Sequence, residues 1–395
     1  MRPIEFKFDL GLGDLPVALI NLNRLHNKCS PCFCNTTRSV EVQSHQYLEG
    51  LLLNVGRGNI SRYSERVRNC NNQSLNHFIS DSPWSYRRLI DYIQINTTSF
   101  IGDWANGFLH LDESGISKSG KCSVGTKRQY NGRLGKVDNC QVGVFLGYVN
   151  GSYRTLIDAE LYLPEDWCED PERRKKCGVP EDVVFKTKAE LGLEMLLHAR
   201  ENNVPFDCVG MDAFYGQQPW LRDKIDSEGI TYVADIPANT RVWLYDGEKD
   251  IKYQFSNAPI DTTVKRLAQM SYSRYWIERA FQDAKGTAGL ADYQVRSWTG
   301  WHHHITMSLL AMLAILMIRI DLGKKAELLT VQDVKGILEV ILPQKEITAQ
   351  EVLSLVKKRH KQRYSARMSH HKRQRLSIKC ANHRYRSPSV GTELM

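Results

Sequence analysis

No apolar stretch of this chain approaches the roughly 20 uninterrupted residues that a membrane-crossing helix needs. The longest run, Ile305 to Ile318, is interrupted by Thr306 and Ser308, and reads as a buried core helix. The N-terminus, MRPIEFKFDLGLGDLP, contains acids and lacks a long apolar core, so it does not read as a secretory signal. Without such a signal, the 10 cysteines among 395 residues are expected to be reduced thiols of a cytosol-like compartment. Only Cys29, Cys32 and Cys34 cluster, and the second ligand pair of a zinc knuckle is missing, since Cys70 stands alone. Gly and Pro are ordinary in number, 27 and 13, which excludes a collagen-like chain. No repeat of roughly 20–50 residues is visible, which argues against a solenoid. Acids are nearly absent from one place: residues 352–395 carry 12 Lys and Arg and a single acid, Glu393. The net charge of +9 therefore belongs to the tail, and the remaining chain is close to neutral.

What is present changes character near residue 100. Helical apolar spacing over 46–53, 60–67, 73–79 and 85–95, with Asn-rich turns between, predicts short helices. Such an arrangement suits a helix-turn-helix DNA reader and equally any small helical bundle. From Gly107 the pattern becomes that of strands: 108–111, then 140–149 and 153–163 joined by Asn150-Gly151, a strong hairpin signal. A helix over 188–200, a strand over 206–211, a helix over 219–227 and a strand over 230–236 follow. Two short strand candidates lie at 241–245 and 251–255, before a helix over 271–284. Three strands followed by alternating helices and strands indicate an α/β fold with a mixed sheet.

Three acids stand out. Asp112 ends FLHLD, Asp212 ends FDCVGMD, and Glu278 lies in SRYWIERAFQDAK. Carboxylates at strand ends are usually turn or cap residues; brought together, they repel unless they hold divalent cations, and oxygen ligands suit Mg²⁺ or Mn²⁺. Glu113 is the rival to Asp112, but strand neighbours point to opposite faces, so both cannot serve one site. Arg274, Glu278, Phe281 and Lys285 share one helical stripe, either an ion-pair ladder or an acid on metal flanked by cations on DNA phosphate. A stretch read as a loop, Gly115 to Lys136, carries Lys118, Lys121, Lys127, Arg128, Arg133 and Lys136 without an acid. These cations are expected to hold a phosphate backbone, with Tyr130 stacking on a base. GISKSGKC (115–122) nearly matches a phosphate-binding loop, but Cys122 cannot supply the hydroxyl that such a loop gives to magnesium. His302, His303 and His304 diverge by about 100° per residue on a helix and read as a polar helix start, not one metal site. The tail from Lys357 to Arg386 is expected to be mobile and to bind polyanions non-specifically.

Several long segments, in order, decide among these readings: LDESG (111–115), SVGTKRQYNGRLGKVDNCQVGVFLGY (123–148), ELYLPEDW (160–167), VGMDAFYG (209–216), YWIERAFQDAKGTAGL (275–290) and SWTGWHHH (297–304). They resemble the DDE transposases of bacterial insertion sequences, closest to the family numbered seven-oh-one and related to the family numbered four. The resemblance implies a ribonuclease H-like mixed sheet flanked by helices, with the strands of Asp112 and Asp212 adjacent. It further implies a helical DNA-binding region over 1–100 and a catalytic domain over 101–320 with a hairpin-sized insertion at about 237–264. A helical, then basic, region over 321–395 completes the chain. Asp112, Asp212 and Glu278 would hold two Mg²⁺ or Mn²⁺ ions. Arg274 and Lys285 match the Arg and Lys of the related family's Tyr-Arg-Glu-Lys signature, and the chain departs from its Tyr at Ser271, with Tyr272 next door. The implied activity is Mg²⁺-dependent cleavage at element ends and strand transfer into target DNA, by a cytoplasmic, nucleoid-associated protein that is a homodimer on DNA. The alternatives are a silent or regulatory DNA-binding protein and a stand-alone nuclease.

Overall fold

The computed structural model describes residues 8–34, 38–53, 57–237, 254–292, 294–346 and 348–384. Among them, five α-helices precede the first strand: α1 (Leu15–Cys29), α2 (Glu41–Leu52), α3 (Ile60–Arg66), α4 (Asn72–Ser80) and α5 (Tyr86–Ile101). Polar caps start the last three. The side chains of Asn59, Asn71 and Ser85 accept from the backbone N–H groups of Arg62, of Gln73 and Ser74, and of Arg88.

The chain then forms β1 (Gly107–Ser117), β2 (Lys127–Asn131), β3 (Lys136–Asn150) and β4 (Tyr153–Leu161). The short α6 (Glu165–Cys168) and α7 (Pro171–Cys177) lead to α8 (Lys188–Glu201) and β5 (Cys208–Met211). After these come α9 (Ala213–Gly216), α10 (Pro219–Ser227), β6 (Tyr232–Asp235) and β7 (Gln254–Ser256). β1 pairs antiparallel with β3 and parallel with β5; β6 is parallel to β5, and β7 antiparallel to β6. β4 pairs with the last residues of β3, and β2 with its first. An antiparallel β1–β3–β4 meander continued by parallel β5 and β6 is a ribonuclease H-like sheet. The Asn150-Gly151 turn forms as its sequence requires, with Gly151 at φ 58°.

The stretch 115–136 is a loop only over 118–126; its two ends join the sheet. Gly115–Ser117 complete β1, and β2 zips onto β3 as a two-stranded arm, because alternating side chains over 127–131 pair with 136–140. Of the two strand candidates after residue 240, 241–245 lies outside the described residues, as does most of the expected insertion, and the second contributes β7.

Helices α11 (Val264–Ser273) and α12 (Tyr275–Thr287) abut at Arg274, itself helical at φ −62° and ψ −31°. They cover one sheet face; α8, α9 and α10 lie on the other. Between α12 and the N-terminal helices runs α13 (Trp298–Gly323), which is long and apolar enough to cross a membrane by composition alone. It is instead wrapped by β4, α1, α2, α4, α5 and α14 (Val331–Ile341), and 83% of its most apolar window is buried. A helix apolar on all sides needs such a wrapping, so the N-terminal helices share their core with the sheet.

The described chain divides into two compact units, the first ending at Gln344 and the second starting at Lys345. In the second, residues expected to be mobile form one helix, α15 (Ala349–Arg384). No Gly or Pro interrupts it, and Thr348 caps it reciprocally with Glu351. A run of like charge does not by itself prevent helix formation when Lys, Arg and Gln dominate it and no helix breaker interrupts it.

Candidate active site

The parallel pairing of β1 with β5 ends at Leu111 opposite Met211, which sets the next residues, Asp112 and Asp212, side by side. Asp112 is in mid-strand rather than at a strand end, because β1 continues against β3 beyond the point where β5 stops. Burial and the adjacent Asp212 push the Asp112 carboxyl up to about 7, although the Glu113 N–H donates to its Oδ1 at 2.7 Å. Burial also raises Asp212. Its Oδ1 accepts from the N–H groups of Phe214 and Tyr215 and so caps α9. The ordinary capping role and a ligand role thus fall on the same side chain.

β6 brings a third acid that the sequence reading missed. Asp235 closes that strand beside β5, and its Oδ2 accepts from Arg274 Nε at 3.0 Å. The Arg274 charge also lowers both Asp112 and Asp212. It serves as an internal counter-ion for a cluster that would otherwise repel itself. The signal was legible in principle: YVAD is a short apolar strand ending in an acid, the pattern of VGMD. His110, two residues before Asp112 on the same face, is fully buried with neither ring nitrogen hydrogen-bonded among the described residues. Burial, then Arg274, pushes it down to about 3. The ring lies over Gly210, where any Cβ would overlap its Nδ1, so this glycine is required by close packing.

Glu113 is on the other face, 2.6 Å from Lys188 on α8, as strand alternation demands. Glu278 is carried across the Asp112 face by α12. Ile277 seats on Gly147, and Phe281 packs edge-on against Phe145 at 5.2 Å. Phe145 is the cross-strand partner of Asp112. The Glu278 side chain itself is exposed, and no group of three His, Cys, Asp or Glu among the described residues is close enough to hold a metal ion. The structure thus brings Asp112 and Asp212 together and leaves Glu278 exposed on the helix that crosses the same sheet face. Oxygen-only donors in an enclosure that penalises their charge fit a hard dication.

Residues 29–253, more than half of the chain, match the DDE superfamily of endonucleases. The chain belongs to that superfamily. The match covers Asp112 and Asp212 and ends before Glu278. A probable transposase for insertion sequence element IS701 from Microchaete diplosiphon is 24% identical over 199 residues. That alignment covers 50% of this chain and 49% of the relative, so the two correspond over about half their lengths. The resemblance read from the sequence motifs is met by both comparisons.

In this member of the DDE superfamily the remaining expected site residues are spread outward. Lys121, Lys127, Arg128, Tyr130 and Lys136 are exposed on or beside the β2–β3 arm. The side chain of Arg133 lies outside the described residues. Lys127 is 3.0 Å from Asp166, and burial with the nearby Arg57 pushes Lys118 down to about 8. The arm starts near Ser117, roughly 17 Å along β1 from Asp112, too far to touch reacting atoms. Lys285 continues the Glu278 stripe, its Nζ 5.3 Å from the Phe281 ring centre, and Tyr272 is exposed. The three histidines are not a polar helix start. All are buried in α13 and diverge to separate partners: His302 to Glu160 at 3.1 Å, His303 to the carbonyls of Ile79 and Trp84, and His304 to Tyr47 at 2.7 Å.

Proposed function

We propose that this chain is a transposase that cuts DNA at the ends of an insertion sequence and joins those ends to target DNA. The observation that carries the reading is the half-buried Asp112–Asp212 pair on adjacent parallel strands, an arrangement whose charge is unfavourable until a dication shares it. Asp112, Asp212 and Glu278 would hold Mg²⁺ or Mn²⁺, two ions in all; when bound, these lower the pKa of water and stabilise charge on attacking and leaving oxygens. Arg274, released from Asp235, and Lys285, one stripe along α12, position phosphate beside the carboxylates. Water attack on the phosphodiester at the element end frees a 3′-hydroxyl. That hydroxyl attacks a target phosphodiester by transesterification, so bond number is conserved and no ATP is consumed. The β2–β3 arm, through Lys121, Lys127, Arg128, Arg133 and Lys136, with Lys118 at its base and Tyr130 on it, holds flanking backbone. The region 1–100 grips terminal DNA, 101–320 carries the chemistry, and the basic region from 321 adds non-specific affinity. We place the protein in the cytoplasm with the nucleoid, acting as a homodimer that pairs two DNA ends.

A supercoiled plasmid carrying the element ends is the test substrate. Wild type should nick it only with Mg²⁺ or Mn²⁺, and Asp112→Asn, Asp212→Asn and Glu278→Gln should bind it normally and leave it intact. Nicking at full rate by any of these variants would refute the assignment. Pre-cut ends separate the stand-alone nuclease: cleavage with no joined product favours it.

A further inference from the structure

A second stripe of α12 faces a pocket that the chemistry above does not use. Tyr275, Arg279 and Asp283 recur at i, i+4 and i+8, turned roughly 100° round the helix from Glu278. They line a cavity of about 400 Å³. Arg154 at the start of β4, Arg319 near the end of α13, and the first turn of α14 close its other sides. Three guanidinium groups thus face one carboxylate within the lining.

That carboxylate is already committed: Asp283 Oδ2 lies 2.6 Å from Arg154 Nη2, both side chains being 9% exposed. Arg154 Nε is buried without a hydrogen-bond partner among the described residues, and its guanidinium carbon is 4.9 Å from the Trp276 ring centre. Arg319 spends Nε and Nη1 on the carbonyls of Leu329 and Ser152. Burial, then the neighbouring Arg154 charge, disfavours its cation. Among the described residues Arg279 makes no ion pair, and its Nη1 donates to Gln282 Oε1 at 2.7 Å. The nearby acid Asp333 is held by the Thr330 N–H and hydroxyl in the α14 cap. Three guanidinium groups against one committed carboxylate in the lining, beside the capped N-terminus of the 11-residue α14, together describe an anion site. Beside it the Tyr275 ring is 53% exposed, a surface on which a base can stack.

We propose that this pocket takes a backbone phosphate of a DNA strand passing along the flank of α12, with the adjoining nucleotide against Tyr275. The proposal rests on the reading of the chain as a DNA-cutting enzyme, since it supplies the strand. It adds a gripping point on the same helix as Glu278 but on a different face, so strand position and the third carboxylate are mechanically linked.

The test uses the full chain and a fluorescein-labelled duplex of the element end, with Kd measured by anisotropy across a salt series. Arg279→Gln and Arg319→Gln should each raise Kd about tenfold and lower the log–log salt slope by about one. Tyr275→Ala should raise Kd without changing the slope. Tyr275 is exposed and Arg279 half-buried, so unchanged melting of those two variants keeps the result interpretable even if Arg319→Gln misfolds. A parallel arm adds millimolar dAMP or inorganic phosphate and reads thermal stabilisation. Stabilisation of wild type that Arg279→Gln abolishes, with duplex binding untouched, would assign the pocket to a free nucleotide and overturn the DNA strand. If wild type binds and nicks DNA while all three variants match it, the pocket proposal fails and the cleavage reading stands; if wild type binds no DNA, both fall.

Discussion

Replacing Asp112 by Asn should stabilise the metal-free protein while abolishing its cutting. The Asp112 carboxyl titrates at about 7 in the fold against roughly 3.9 in an unfolded chain. Below pH 4 both states are protonated and the group contributes nothing. Between pH 4 and 7 the unfolded state ionises first, so stability falls as pH rises, and above 7 the full cost is present. Three units at 1.36 kcal/mol each set a ceiling of about 4 kcal/mol. Asp112 keeps some contact with solvent, and relaxation toward it reduces the effect to about 1–3 kcal/mol. Asn keeps the shape and an acceptor for the Glu113 N–H, so the gain should persist. Urea unfolding at pH 8 in EDTA should show a higher midpoint for Asp112→Asn than for wild type, with the two converging near pH 4.5. Saturating Mg²⁺ should then stabilise wild type and leave the variant unmoved. A variant less stable than wild type at pH 8, or a wild type whose stability is flat from pH 4.5 to 8, would refute the electrostatic argument.

Other outcomes follow from the packing. Gly147→Ala adds a methyl that overlaps Ile277 Cδ1; it should shift α12 and lower nicking on the order of tenfold to a hundredfold, and Ile277→Val should recover part of the loss. Glu113→Gln breaks the pair with Lys188 on the opposite face; it should cost about 1–3 kcal/mol in chemical unfolding and leave the nicking rate within a few-fold of wild type. The double variant Arg128→Ala, Lys136→Ala on the exposed arm should weaken duplex binding and reduce the salt slope by about two, with unchanged melting. An unchanged slope would remove the arm from the DNA surface.

The sequence alone carried most of the element types, and the reasons are local. Period-two alternation and the Asn150-Gly151 turn specified the β3–β4 hairpin, and capping Asn and Ser residues set the starts of α3, α4 and α5. Asp112 and Asp212 were marked by the same logic, as acids following short apolar strands. Local signals misled where a pattern had two solutions. Gly115–Lys136 reads as a loop by composition but pairs at 115–117 and 127–131 while 118–126 stays a loop, and the C-terminal charge run forms a helix. The histidine triplet reads as polar but is enclosed, because its partners arrive from Tyr47, Ile79, Trp84 and Glu160, each more than a hundred residues away in the chain.

Only the tertiary structure could decide which acids meet. Strand adjacency is set by long-range pairing, in which residues 108–111 choose 208–211 over every other apolar stretch, and no periodicity encodes that choice. Pairing of β6 with β5 likewise sets Asp235 next to Asp212, with Arg274 on its carboxylate, while Glu278 stays exposed. A hydrophobic pattern tells a residue which face to turn inward; the identity of its neighbours, and hence the charge it must tolerate, depends on how the whole sheet is assembled.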